Sequence, residues 1–137
     1  MASLKGTNIT AMDASPSTKV KSSEVHGRMR VAKDSYTAAG ASIGDTITVA
    51  RLPKGAVVYG VTVWHAALGT GVLLAAGDSG DIDRYVTAVA SATAGKKLLT
   101  NSVGFAYEQT AETDVILTVS GAAATGLITT LVEYAVD

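Results

Sequence analysis

The sequence predicts an all-β domain, a jelly roll or β-sandwich of about eight antiparallel strands that follows an extended N-terminal arm. The first observation is that 39 of the 137 residues are Val, Ile or Thr, whose branched side chains favour strands over helices. The second is that alternating apolar and polar segments recur at intervals of roughly 8–14 residues, with glycine-containing turns between them. The third is the length of the chain, which suits one domain with its own core.

Residues 1–26 are assigned to the arm and residues 27–137 to the β-sandwich domain, because the character of the chain changes between them. The first 25 residues are rich in Ser, Thr and Lys and have no sustained apolar period. Two interpretations stay open at this point. The segment is either a flexible tail or an extended arm that becomes ordered only on a partner.

The first two strand segments alternate as strands with one solvent-exposed face do. In GRMRVAKDSYT (27–37), Met29 and Val31 lie between charged neighbours. In DTITVARL (45–52), Ile47 and Val49 alternate with threonines. The LPKG segment (52–55) then predicts a turn, because proline fixes its own φ and glycine tolerates a positive φ.

The next segment, AVVYGVTVW (56–64), is apolar on both faces of the predicted strand. Strict alternation assigns one face to Val57, Tyr59, Val61 and Val63 and the other face to Val58, Thr62 and Trp64. Strands that are apolar on both sides are buried on both sides. We therefore expect this strand in the centre of a sheet or at a contact between subunits.

Further strands are predicted at 72–76, 84–92, 96–101 and 103–109. The segment 84–92 is assigned to strand rather than helix because its alanines and valine alternate with polar residues. The segments TDVILTVSG (113–121) and GLITTLVEYAV (126–136) predict a hairpin joined across residues 122–125. One face of the final strand carries Ile128, Thr130, Val132, Tyr134 and Val136.

The composition favours a protein that assembles with other proteins. Only 17% of the residues are charged, and the mean hydropathy is +0.30. No stretch approaches the ~20 apolar residues of a membrane helix, so membrane insertion is not predicted. The absence of cysteine excludes disulfides and thiolate metal sites. The first eight residues lack the apolar core of a secretory signal, which favours synthesis and use in a cytoplasm.

Charge is distributed unevenly along the chain. Residues 1–33 carry a net charge of +4, and the remainder carries −5. The basic segment is dilute and contains no aromatic residue, so direct binding of nucleic acid is not predicted. Its cations include Lys19, Lys21, Arg28 and Arg30, which we expect to contact an acidic neighbour.

The segment LAAGDSGDIDRYV (74–86) allows three interpretations: a serine nucleophile, a cation site or a turn. Gly-Asp-Ser-Gly surrounds the nucleophile of trypsin-like enzymes, but a serine nucleophile needs a histidine base oriented by a carboxylate. Only His26 and His65 exist, and neither has surroundings that resemble a protease. The aspartates fail the spacing of a calcium loop, although a looser cation site built from Asp78, Asp81 and Asp83 stays open.

The residue types in this segment predict a turn. Gly77 and Gly80 are expected to take positive φ, while the side chains of Asp78 and Ser79 bond back to their own backbone. Arg84 is expected to pair with Asp81 or Asp83 at a solvent-exposed rim.

Two longer stretches, TITVARLPKGAVVYGVTVW and AAGDSGDIDRYVTA, carry a resemblance to a known class of protein. Over residues 43–90 the chain resembles small structural proteins of tailed double-stranded DNA phages, and in particular the capsid decoration or cement proteins. The resemblance implies a jelly-roll domain on the outer surface of a phage head, which is assembled in the host cytoplasm. It implies dimers or trimers that bind across junctions of the major capsid protein, without catalytic residues or cofactors. By the match of these segments alone, it implies contact roles for Arg51, Lys54, Tyr59, Asp78, Asp81, Asp83, Arg84 and Tyr85.

Two other functions remain as alternatives. The first is a tail, neck or fibre component of a phage particle, since related β-domains occur there. The second is a jelly-roll module that binds a carbohydrate or other ligand, which would expose aromatic residues around a groove. An enzyme is not predicted.

Overall fold

The computed structural model describes residue 2, residues 4–25 and residues 27–137, which form one short helix and nine strands. The elements are α1 (Thr7–Asp13), β1 (Arg30–Ala41), β2 (Thr46–Leu52), β3 (Ala56–His65), β4 (Leu73–Gly77), β5 (Val86–Ala90), β6 (Gly95–Leu98), β7 (Tyr107–Glu108), β8 (Thr113–Ser120) and β9 (Ala124–Val136). No helix in this described part of the chain has the length and apolar character needed to cross a membrane.

The strands form two antiparallel sheets that face each other. The first sheet has the order β1-β9-β3-β6, with the short β7 also paired to β3, and the second has the order β2-β8-β4-β5. Consecutive strands therefore alternate largely between the sheets, as in a jelly roll. The predicted all-β jelly roll is confirmed, and β3 is central, between β9 on one side and β6 and β7 on the other.

The core lies between the inner faces of the two sheets. Ile47 and Val49 of β2 point inward and are buried, whereas the alternating Thr46 and Thr48 are exposed, as predicted. The inward face of β9 is also the predicted one, with Ile128 and Val132 almost fully buried. Gly55 has a φ of +86°, and the amide of Ala56 donates to the carbonyl of Pro53, which confirms the turn before β3.

Strict alternation was wrong for β3, because the strand contains a bulge. Its register with β9 shifts between Val58 and Gly60. A bulge inserts one extra residue and reverses the faces of the residues before it relative to those after it. Val58 is therefore buried on the same side as Val61 and Val63, and Tyr59 sits at the bulge.

Two other strand predictions also need correction. β8 and β9 do not form a hairpin, because β8 pairs with β2 and β4 whereas β9 pairs with β1 and β3. The connection after Ser120 instead crosses from one sheet to the other, so the two strands meet across the core. In β1, Val31 is 63% exposed. The residues of β1 that point inward, such as Ala38, are those paired with the buried side of β9, and Val31 is not one of them.

The N-terminal segment is not uniformly extended. Thr7–Asp13 form a helix that buries none of its side chains, which neither interpretation of the arm predicted. Residues 22–25 form a turn that lies against the β-sandwich, and Ser23 is 6% exposed there. His26, at the predicted end of the arm, lies outside the described residues.

Candidate functional site

The Gly-Asp-Ser-Gly segment begins at the end of β4 and leads towards β5, and the predicted turn is present. The amides of Gly80 and Asp81 donate to Asp78 Oδ1 at 2.9 and 3.0 Å, so the aspartate does bond back to its own backbone. Neither Gly77 nor Gly80 has a positive φ, contrary to the prediction. Gly77 is required for a different reason, because a β-carbon there would lie 2.1 Å from the carbonyl oxygen of Asp81.

The partner of Arg84 is Asp78, and not Asp81 or Asp83 as predicted. Arg84 Nε donates to Asp78 Oδ2 at 2.6 Å, and Arg84 Nη2 donates to Asp78 Oδ1 at 3.2 Å. The side chains are only 14% and 5% exposed, so this two-point ion pair lies inside the loop rather than at a solvent-exposed rim. Burial by itself raises the pKa of Asp78, but the hydrogen bonds from Arg84 and from the two amides outweigh burial and lower it.

Residues from a distant part of the sequence complete the packing around this loop. The guanidinium of Arg84 lies over the ring of Tyr107, 3.9 Å from its centroid, in a cation–π contact. Tyr85 is fully buried, and its hydroxyl accepts a hydrogen bond from Gln109 Nε2 at 2.8 Å. Burial raises the pKa of Tyr85 to about 12, because the phenolate would be desolvated. Tyr107 and Gln109 were not predicted as site residues, since no local pattern links them to a loop more than 20 residues earlier.

These contacts place Asp78, Arg84 and Tyr85 inside the domain, where they hold the loop in shape. In contrast, Asp81 and Asp83 are half-buried and flank Ile82, which is 51% exposed. A hydrogen bond from Asp83 to the neighbouring Asp81 carboxylate, together with like charge, raises the pKa of Asp83. We call residues 81–83 the loop tip.

In the part of the chain that the structure describes, the residues of the proposed cation site and of the proposed serine nucleophile are not arranged as a site. Within it, no group of three or more His, Asp or Glu side chains is arranged to hold a metal ion. The carboxylate of Asp78, which the looser cation site would need, is already bonded to Arg84 and to two amides. Ser79 is exposed, and the ring of His65 is buried with its Nδ1 2.9 Å from the carbonyl oxygen of Ala66.

A second group of contacts, separate from the loop between β4 and β5, joins the arm to the domain around Tyr59. Lys21 Nζ lies 2.6 Å from a carboxylate oxygen of Glu108, and this hydrogen bond and charge raise the pKa of Lys21. The amide of Ser22 donates to Asp137 Oδ1 at 2.8 Å, and the hydroxyl of Tyr59 donates to the carbonyl of Ser23 at 2.8 Å. Of the four cations expected to contact an acidic neighbour, Lys21 therefore contacts an acidic side chain, and that side chain belongs to its own domain.

The other predicted contact residues are spread over the surface. Lys19, Arg28, Arg30 and Lys54 are exposed, and none of them forms an ion pair within residues 2, 4–25 and 27–137. Arg51 is exposed and pairs with Asp114, with Nε 2.7 Å from Oδ1. The structure thus brings Asp78, Arg84 and Tyr85 together in one cluster and leaves the predicted basic contacts apart from it.

Comparisons with known proteins connect this architecture to virus particles. No protein-family model and no curated protein matches the sequence. Among solved structures, a chain from the capsid of Ralstonia phage GP4 has 20% identity and a TM-score of 0.68, over 81% of this chain and 86% of its own. A chain from an acid-stable capsid structure of Helicobacter pylori bacteriophage KHP30 has 17% identity and a TM-score of 0.60, over 79% and 87%. These two share the fold with this protein.

A third structure is also similar in sequence. A chain in the capsid asymmetric unit of cyanophage Pam1 superimposes with a TM-score of 0.70. It is 32% identical, and the alignment covers 81% of this chain and 86% of that one. This protein therefore belongs to a family of phage capsid proteins that includes the chain from the cyanophage Pam1 capsid.

Proposed function

We propose that this protein is a cement protein, which binds the outer surface of a phage head and joins neighbouring subunits of the major capsid protein. The observation that carries the proposal is the 32% identity to a capsid chain over 86% of that chain's length. In this role the protein docks as a homodimer or homotrimer, assembles in the host cytoplasm, and needs no catalytic residue or cofactor.

The contacts within the domain support a clamping role. The buried Arg84–Asp78 pair fixes the loop between β4 and β5, and contacts with Glu108, Asp137 and Tyr59 hold residues 21–23 on the sandwich. Lys19 on the arm and Arg28 just after it remain as exposed cations, which an acidic patch of a capsid subunit would attract. Many copies on one lattice strengthen such contacts, because a second contact by a docked unit is effectively intramolecular.

The proposal is tested with heads that lack this protein. Adding the purified protein should restore resistance to heat, and the bound copies should number in the hundreds per particle. Arg28→Glu should weaken the binding and reduce its dependence on salt, whereas Lys97→Glu, an equal charge reversal on β6, should leave it unchanged. Heads that fail to bind the protein, or that resist heat equally well without it, would contradict the proposal. A dozen copies or fewer would favour the tail or neck instead.

A further inference from the structure

Three large apolar side chains are exposed close together on two loops of the domain. Ile82 of the loop tip is 51% exposed, and Val103 and Phe105, in the loop between β6 and β7, are 62% and 57% exposed. We call these three residues the apolar cluster. Single exposed apolar side chains are common on proteins, but a group of them at one place marks contact with another molecule.

The two loops pack against each other, which keeps the apolar cluster together. Asn101 Nδ2 donates to the carbonyl of Asp83, and Asn101 Oδ1 accepts from the amide of Val103, both at 3.2 Å. Gly104 lies directly on the other loop, because a β-carbon there would be 2.2 Å from the carbonyl oxygen of Arg84. These contacts join the loop tip to the loop that carries Val103.

The backbone next to Phe105 is held in an unusual conformation. Among the described residues, Ala106 is the one non-glycine residue with a positive φ, at +58°, which is unfavourable for a residue with a β-carbon. Its amide donates to the carbonyl of Val58 at 2.8 Å, and the ring of Phe105 packs edge-on against Tyr59 with 5.9 Å between centroids. Backbone strain concentrates at functional sites, and here it fixes the position of an exposed aromatic residue.

Charged residues of both signs surround the apolar cluster. Asp81 and Asp83 flank Ile82 and are hydrogen-bonded to each other. On the other side, Arg30 is in the same row of the first sheet as Tyr107, which directly follows the loop between β6 and β7. This row crosses three strand spacings, about 14 Å, and a standard interface of about 800 Å² on each partner is wide enough to include both ends of it. An apolar centre with a mixed polar rim is typical of a protein–protein interface.

We propose that each molecule stands end-on on the phage head, with the apolar cluster in an apolar hollow of a major capsid protein subunit. The inference rests on the proposed function and specifies which surface docks. In a homodimer or homotrimer whose symmetry axis is normal to the shell, the copies meet side by side, so one end of every copy faces the shell. The arm is bound at the same end as the cluster, because Tyr59 contacts both Ser23 and Phe105.

Ile43 marks the opposite end of the molecule and provides a matched control. It lies in the turn after β1, and the twelve residues of β1 extend about 35 Å from Arg30 towards it. Its side chain is 64% exposed, which is similar to the exposure of the cluster residues. In the end-on orientation Ile43 points away from the shell.

The test makes use of the absence of cysteine from the sequence. Single cysteines are introduced by Ile82→Cys, Val103→Cys and Ile43→Cys, and their reaction with a maleimide is followed on the free protein and on protein bound to heads. Labelling at positions 82 and 103 should be at least tenfold slower on heads, because the shell covers them. Labelling at position 43 should change less than twofold.

Binding to heads that lack the protein gives a second measurement. Phe105→Ser and Val103→Ser should each raise the dissociation constant at least tenfold, as expected for anchors at the centre of an interface, whereas Ile43→Ser should bind as the parent does. Phe105→Ser also removes the ring contact with Tyr59 beside the arm, and Val103→Ser leaves that contact in place. Circular dichroism melting of each variant checks that the fold is retained.

The outcomes separate this inference from the proposed function. If the parent binds heads but Val103→Cys reacts there as fast as in the free protein, another surface docks, so the inference is wrong and the proposed function stands. Protection of Ile43→Cys in place of the cluster would contradict the orientation. Labelling at positions 82 and 103 that slows as the free protein is concentrated would also overturn the inference, because a second copy then covers the cluster. A parent that does not bind heads refutes both.

Discussion

The contribution of the buried Arg84–Asp78 pair to stability can be measured against a natural control in the same domain. Asp78→Ala leaves the Arg84 guanidinium without its carboxylate in a site where the side chain is 14% exposed. Removing one partner of a buried ion pair costs about 3–5 kcal/mol, and here the amides of Gly80 and Asp81 also lose their acceptor. Such a loss is a large part of a total stability of about 5–15 kcal/mol. For a domain of this size it lowers the melting temperature by roughly 10–20 °C.

The control is Asp114→Ala, which breaks the pair of Arg51 with Asp114. Those side chains are 67% and 37% exposed, and an exposed pair contributes about 0–1 kcal/mol. Both variants and the parent are unfolded in urea, and the free energies of unfolding are compared at the lowest protein concentration that gives a signal. Similar losses of stability in the two variants would refute the argument from burial.

Three further predictions concern the loop and the arm. Because the pKa of Asp78 is lowered in the folded protein, the ionised side chain contributes its full stabilisation above the unfolded pKa of about 3.8, and this stabilisation is lost as the pH falls through the lower folded pKa. The melting temperature of Asp78→Asn should therefore fall less steeply below pH 4 than that of the parent. Gly77→Ala should lower the free energy of unfolding by about 2 kcal/mol or more in urea titrations, since the new methyl group would overlap the carbonyl of Asp81, and an unchanged value would contradict the close approach. Tyr59→Phe removes the hydrogen bond to Ser23, which is worth about 0.5–1.5 kcal/mol, so limited proteolysis should cleave the arm faster while the domain stays intact.

The elements that the sequence predicted well are those whose structure depends on local interactions. The alternation in β2 and β9 and the turn at Gly55 are local, and the structure has them as predicted. The bulge at Tyr59 shifts the register of β3 by one residue, and its one local sign is the neighbouring Gly60, which strict alternation does not take into account. The assignment of β8 and β9 to different sheets depends on which strands compete for pairing, so alternation alone could not reveal it.

The candidate site shows the same division between local and distant contacts. The bonds from Asp78 to nearby amides were predictable, because aspartate commonly accepts such bonds in turns. That Arg84 pairs with Asp78, and not with Asp81 or Asp83, was not predictable. The partner depends on which carboxylate the fold buries beside the guanidinium. The position of Tyr107 above Arg84 depends on the pairing of β7 with β3, which no sequence pattern indicates.

The position of β9 in its sheet has a consequence for biosynthesis. Residues 124–136 are inserted between β1 and β3, and Arg30 pairs with Tyr134, more than one hundred residues later in the chain. During translation β1 has no partner in its sheet, and β3 lacks one of its two neighbours, until this segment has emerged from the ribosome. The sheet is therefore completed only once β9 is available, and the nascent chain exposes strand edges to chaperones and to other nascent copies until then.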